Sequence, residues 1–268
     1  MHNHTESLFA GLWQDYVNHT PSAMSIHELL GATQDKPIIN DHIALRTFNH
    51  DKVNLDKLAE HFIRLGYKEG GEYHFKAKKL YAKHFEHEDP TLPKVFISQL
   101  LCEQLSEQAQ HLINQLVDSV DEQAYLADDF LYSGIHWSVE RQVYETLAAE
   151  SEYAAWMSAW GFRANHFTVS INELEQYDTI EAVNQKLKDS GYTLNSAGGE
   201  IKGSPEVLLE QSSTMADTKT LDFSDGQLTI PSCFYEFALR YKKPDGKLYS
   251  GFVEASADKI FESTNKAD

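Results

Sequence analysis

The sequence predicts an α+β fold. Two strand–helix–strand modules set their sheets side by side as a curved cup around a metal, with added helices at the N-terminus and between the modules. Two observations carry this expectation. NDHIALRTF (residues 40–48) is an alternating strand bearing a histidine, and RANHFTVSIN (163–172) is a second strand of the same kind. Each is followed by a helix that ends in Gly-Tyr at nearly the same spacing from its histidine. Each module then closes on a strand that begins Pro-x-x-aromatic, PKVFISQL in one and PSCFYEFAL in the other. A repeat of this kind fixes architecture before any function is argued. Aligning Pro93 with Pro231 sets Ser98 opposite Glu236.

The elements follow in order along residues 1–268, read as a single domain. N-terminal helices occupy residues 5–31: Leu8, Phe9, Leu12, Trp13, Tyr16 and Val17 recur at helical spacing, and SIHELLG is a shorter helix stopped by its glycine. The first module, about 38–102, comprises NDHIALRTF, the helix VNLDKLAEHFIRLGY and the strands EYHFKAKK, LYAKHFEHE and PKVFISQLL. A helical insert spans about 103–160, with EQLSEQAQHLINQLVD, DEQAYLADDFL and VERQVYETLAAESEYAAWMSAWG as its predicted helices. The second module, about 162–242, repeats the pattern with RANHFTVSIN, TIEAVNQKLKDSGY, VLLEQSSTMA, a turn at Ser224-Asp225-Gly226 and PSCFYEFALRY.

Composition narrows the partners. The chain has 41 acidic against 23 basic residues, a net charge of -18, which repels phosphate backbones and argues against nucleic acid. Its densest basic stretch, FKAKKLYAKH, reads as a strand with solvated lysines. The two cysteines imply no disulfide framework and a reducing, cytoplasmic setting. No signal peptide is evident, and no apolar run approaches the roughly 18 residues that a membrane span requires.

Strand parity gathers the candidate chemistry. His42, Ala44 and Arg46 share one face; so do His166, Thr168 and Ser170, and so do Glu236, Ala238 and Arg240. Asp41, Ile43 and Leu45 fall on the opposite face of their strand. Two imidazoles and a carboxylate are the ligand set favoured by non-haem Fe(II) oxygenases, and Zn(II), Mn(II) or Co(II) suit the same donors. The small residues Ala44, Thr168 and Ala238 leave room beside a metal. The competing account pairs Glu236 with Arg46 or Arg240, which would equally relieve a buried carboxylate. Other candidates are weaker. His84, Glu86, His87 and Glu88 read as a solvated segment, His2 and His4 lie at the terminus, His136 caps or lines a pocket, and Cys233 faces away as a small core residue.

NDHIALRTF, RANHFTVSIN, LLEQSSTMAD and IPSCFYEFALRY together resemble the DUF1338 family, whose characterised members are 2-oxoadipate dioxygenase/decarboxylases and whose fold is similar to the vicinal oxygen chelate superfamily. The resemblance runs from about residue 5 to 264. It implies His42, His166 and Glu236 as iron ligands, Arg46 as the anchor of a substrate carboxylate, and Gln211 as a polar pocket residue. It also implies Ala255 and Ser256 as contacts to the far end of the substrate. Arg46 and Glu236 carry the catalytic roles. The implied cofactor is Fe(II), with Zn or Mn compatible, and the implied reactants are a 2-oxo acid and O2. The implied reaction converts 2-oxoadipate, or a close analogue, to 2-hydroxyglutarate and CO2 without a separate co-substrate. Two alternatives stay open: a redox-neutral hydrolase, isomerase or lyase of the same fold using Zn or Mn, and a non-enzymatic binder of a small anion. The sequence sets neither the oligomeric state nor the particular 2-oxo acid.

Overall fold

The computed structural model describes residues 1–33 and 35–265. Its framework is one eight-stranded sheet built from both modules. The first contributes β1 (Asn40–Phe48), α3 (Leu55–Ile63), β2 (Lys68–Phe75), β3 (Leu80–Glu86) and β4 (Lys94–Leu100). The second contributes β5 (Ala164–Ser170), α7 (Ile180–Asp189), β6 (Lys202–Ser204), β7 (Leu209–Ser213) and β10 (Phe234–Arg240). The strand order β2-β3-β4-β1-β5-β10-β7-β6 reads as one module and then its reflection. The two histidine strands, β1 and β5, meet antiparallel at the centre, and each runs parallel to the closing strand of its own module. The predicted repeat is therefore the architecture. A signature absent from the sequence reading supports it: the two positive-φ non-glycine residues among those described, Lys79 and Leu208, sit at matching places, each after a one-turn 3-10 helix and before β3 or β7.

The ladders correct one inference about the repeat. Two residues past its histidine, Ala44 pairs with Phe96, whereas Thr168 pairs with Glu236. With His42 matched to His166, the counterpart of Glu236 is Phe96, not Ser98. The Pro-x-x-aromatic alignment slipped by two positions, which strand parity cannot detect because the face is unchanged.

The helices α1 (Thr5–His19) and α2 (Pro21–Leu29) cover the convex side beneath β5 and β10. The insert is less helical than expected. It holds α4 (Glu107–Asp118), two 3-10 turns where DEQAYLADDFL reads as a helix, α5 (Arg141–Ala148) and α6 (Glu152–Trp160). The single long helix predicted over 139–161 divides because Ser151 caps α6, its hydroxyl accepting from the Ala154 N–H at 3.2 Å. Glu150 is drawn away to the start of α4, where its carboxylate accepts from the Ser106 N–H and hydroxyl. FKAKK likewise breaks into a strand end and a 3-10 turn. The turn at Ser224 and Asp225 joins β8 (Thr218–Phe223) to β9 (Gly226–Pro231), a separate two-stranded hairpin.

Every residue of α6 after Glu152 is buried, so this part of the insert is a wall of the cup. Trp156 and Trp160 donate from their indole nitrogens to the carbonyls of Ser232 and Pro231, just ahead of β10. The Tyr153 hydroxyl accepts from the Thr47 N–H and donates to Ser98 O, tying α6 to β1 and β4. The cup is closed by α8 (Glu254–Ile260) and the 3-10 turn after it (Phe261–Thr264). Among the described residues no helix is long and apolar enough to cross a membrane.

Phe237 is fully buried on the apolar face of β10, next to Glu236. Phe237→Ala is expected to destabilise the fold by about 3–5 kcal/mol through the cavity it leaves. Urea unfolding would show a lowered midpoint with an unchanged slope.

Candidate metal centre

His42, His166 and Glu236 converge on the concave face. They reach it from β1, β5 and β10, three adjacent strands of the sheet. One donor atom from each lies within 4.8 Å of the others, and all three residues are buried. Glu236 Oε1 stands 3.5 Å from His42 Nε2, and Oε2 stands 3.0 Å from His166 Nε2. Oε2 nonetheless makes no hydrogen bond among the described residues. The carboxylate and imidazole face each other without the alignment a shared proton needs, so their lone pairs remain available to a cation.

The competing account does not hold. Neither arginine meets Glu236. Arg240 forms a bidentate pair with Asp41, Nε to Oδ2 at 2.6 Å and Nη2 to Oδ1 at 2.9 Å. Arg46 turns to Glu152 at 3.2 Å and to the Thr264 hydroxyl at 3.0 Å. What Glu236 does have is Gln211, whose amide donates to Oε1 at 2.5 Å. The residues present therefore fit a divalent metal: three converging donors, an orphaned carboxylate oxygen, and no fixed cation to balance it.

Each histidine is oriented by the residue before it. Asp41 Oδ1 lies 2.7 Å from His42 Nδ1, and Asn165 Oδ1 lies 3.1 Å from His166 Nδ1. Strict alternation puts Asp41 and Asn165 on the other face. The β1–β5 ladder shifts register at both positions, between Asn40 and His42 on one strand and opposite Ala44 and Leu45 on the other. These bulges bring each side chain round to its neighbouring imidazole. With Nδ1 as the donor to oxygen, Nε2 is left to bind metal. The signal was legible as an Asp or Asn before the histidine in both motifs, and alternation concealed it.

Electrostatics separate the two imidazoles. Burial lowers the pKa of His42, but the Glu236 charge and the Asp41 hydrogen bond outweigh it and the net shift is upward. At His166 burial prevails over the attraction of Glu236, and the net shift is downward. Burial raises the Glu236 carboxyl, and the facing imidazoles more than reverse this, holding it at about 2. One carboxylate thus faces two imidazoles that are shifted in opposite directions.

A narrow cavity opens beside the triad. Arg46, Ser98, Asn165 and Gln211 are its polar lining, and Ala44, Phe96, Phe252, Ala257, Ile260 and Phe261 its apolar lining. Arg46 is 1% exposed, flanked by the rings of Tyr153, Trp156 and Phe261, and its Nε has no partner among the described residues. The Gln211 amide oxygen is similarly free. Thr168 donates to, or accepts from, His42 Nε2 at 3.1 Å.

Two expected contacts are not brought to this cavity. Ala255 is exposed on α8, and Ser256 is buried beside Gly203 of β6. The helical period turns Ala257 and Ile260 inward instead. His84 is buried rather than solvated, bonded to the Tyr73 hydroxyl and to Glu86. His136 bonds Ser133 away from the cavity, and Cys233 is a core residue.

The family model for 2-oxoadipate dioxygenase/decarboxylase matches residues 13–247. The chain belongs to the 2-oxoadipate dioxygenase/decarboxylase family. The chloroplastic 2-oxoadipate dioxygenase/decarboxylase of Arabidopsis thaliana is 36% identical over 93% of this chain and 74% of its own length. The crystal structure of hydroxyglutarate synthase from Oryza sativa in complex with 2-oxoadipate is 36% identical, with a TM-score of 0.89 over 96% of this chain and 91% of that one. A structure from Shewanella frigidimarina, provisionally named as a hydrolase, is 61% identical with a TM-score of 0.91, covering 95% of this chain and all of the other. The half-barrel sheet is the one the family resemblance implied.

Two outcomes test the centre. Asp41→Asn should weaken metal binding by about 10- to 100-fold through loss of the charged partner of His42, measured by competition with a chelating dye. Because the raised His42 must lose its proton to bind metal, apparent affinity should fall by about tenfold per pH unit below its pKa. Glu236 should not contribute until pH approaches 2.

Proposed function

We propose that this chain is an Fe(II)-dependent dioxygenase/decarboxylase acting on a 2-oxo dicarboxylic acid, 2-oxoadipate or a close analogue. The products are CO2 and the hydroxy acid one carbon shorter, 2-hydroxyglutarate from 2-oxoadipate. The observation that carries this reading is the buried Glu236 carboxylate, facing two imidazoles with no arginine to neutralise it, in a member of this family. His42, His166 and Glu236 hold the metal. Bound there, Fe(II) supplies the redox chemistry by which dioxygen reacts with a 2-oxo acid.

The protein's own groups do the rest. Gln211 fixes the Glu236 carboxylate by its hydrogen bond to Oε1, so the second oxygen is presented in one direction. Asp41, itself clamped by Arg240, fixes the tautomer and the plane of His42. Arg46 binds a substrate carboxylate. Its guanidinium is permanently charged and buried, it keeps an unpartnered Nε, and its planar fork matches a carboxylate. The rings of Phe96, Phe252 and Phe261 exclude water. A dry site strengthens the pull of Arg46 on an anion and protects reactive species from quenching.

Metal-stripped protein reloaded with Fe(II) should take up oxygen with 2-oxoadipate and release an equal amount of CO2, and Glu236→Ala should abolish both. Arg46→Gln should retain stoichiometric metal while weakening 2-oxo acid binding by about 2–5 kcal/mol. Stoichiometric iron without oxygen uptake for any 2-oxo acid would overturn the proposal in favour of redox-neutral metal chemistry.

A further inference from the structure

The convex face behind the metal centre holds an arrangement that packing alone does not require. Tyr235 is the residue before Glu236 on β10, so its side chain leaves the sheet on the side opposite the triad. It is fully buried. Its hydroxyl is hydrogen-bonded to His27 Nε2 in the last turn of α2. The His27 ring in turn stacks on the Trp13 indole of α1, with centroids 4.7 Å apart and planes 17° from parallel. Trp13 also lies 6.4 Å from the Tyr235 ring and is half-buried, so the series reaches from behind a metal ligand to the molecular surface.

Tyr73 also meets a histidine, His84, but on β2 and β3 at the far side of the sheet; the Tyr235–His27 pair is the one built onto a ligand strand, and it has chemistry that the tyrosines packed around it lack. A phenol is readily oxidised by one electron only if its proton has somewhere to go. His27 offers that acceptor: burial lowers its pKa to about 4, so the ring is neutral near pH 7. Tyr16 donates its hydroxyl to the Phe234 carbonyl, which cannot take up a proton. Tyr153 is bonded to backbone groups and Ser98, and both it and Trp156 lie against the Arg46 guanidinium, whose charge opposes loss of an electron. The aromatic groups nearest the imidazoles on the concave side, Phe252 at 4.8 Å from His42 and Phe234 at 4.5 Å from His166, are phenylalanines and resist oxidation.

We propose that Tyr235, His27 and Trp13 form a relay that drains oxidising equivalents from the metal centre to the protein surface, sparing the ligands when oxygen is reduced without productive attack on substrate. The proposal rests on the redox-active metal of the preceding section. In the first step Tyr235 passes one electron to the oxidised centre and its phenolic proton to His27 Nε2, leaving a neutral phenoxyl radical and an imidazolium. Trp13 then returns an electron to Tyr235 as the proton comes back from His27. An external one-electron reductant, such as a thiol, restores Trp13 at its exposed edge.

Hydrogen peroxide, a two-electron oxidant that acts on bound iron without a 2-oxo acid, tests the relay separately from the dioxygenase reaction. The Fe(II)-loaded protein is mixed with peroxide, freeze-quenched and examined by electron paramagnetic resonance, with and without ring-deuterated tyrosine. A tyrosyl signal is expected, narrowed by ring deuteration. It should be lost in Tyr235→Phe, which keeps the ring's packing, and longer-lived in Trp13→Phe, which removes the drain. Mass spectrometry should find more oxidised His42, His166 and Phe252 in Tyr235→Phe than in the parent protein. An unchanged signal in Tyr235→Phe, or iron oxidation with neither a tyrosyl signal nor a difference in ligand damage, would overturn the relay. Oxygen uptake with 2-oxoadipate, measured on the same preparations, reports on the dioxygenase reading by itself.

Discussion

A carboxylate with no fixed cation, at the centre of a curled sheet, is the constraint to which the rest of the cup answers. Glu236 is 0% exposed, and leaving such a charge uncompensated costs several kcal/mol. An arginine on the same strand, Arg240, could have relieved it, but Asp41 holds that guanidinium through two hydrogen bonds. Glu152 and Thr264 hold Arg46 in the same way. The surrounding ion pairs thus keep each guanidinium away from Glu236, which faces only the two imidazoles. A divalent ion would supply the positive charge that no fixed side chain brings to Glu236.

The bulged dipeptides make this arrangement directional. A histidine on a regular strand can rotate about its side-chain bonds and present either nitrogen. Moving the preceding residue to the same face supplies an oxygen for Nδ1 and removes that freedom. The two copies of the device differ, an aspartate behind His42 and an asparagine behind His166. One imidazole is therefore backed by a full negative charge and the other by an amide dipole. The donors are unequal in strength although their geometry repeats.

The parts of this protein that follow from side-chain period were legible in its sequence. The alternating strands, the helices between them, the triad and the repeat itself all rest on periods of 2 and 3.6, and those periods survive folding. What alternation hid was any residue displaced by a bulge, so by parity Asp41 falls on the wrong face and Asn165 gives no signal at all. A slip by two residues was also invisible, which is why Ser98 stood in for Phe96. The split between α5 and α6 depends on Glu150 bonding to Ser106, a contact 44 positions away in the chain that no local window contains. Ala255 and Ser256 lie off the cavity for a related reason: the phase of α8 turns Ala257 and Ile260 toward it instead.

The near-symmetry of the sheet gives Phe96 a meaning beyond its contribution to the cavity wall. A cup made from two identical copies of the second module would bring two histidines and two glutamates to the seam between β1 and β5. Four protein donors would crowd a bound ion and leave less room beside it for substrate. Phenylalanine at the position matching Glu236 removes one of those donors and supplies an apolar surface in its place. Divergence of the two halves at this position opens space beside the three donors that a second glutamate would fill.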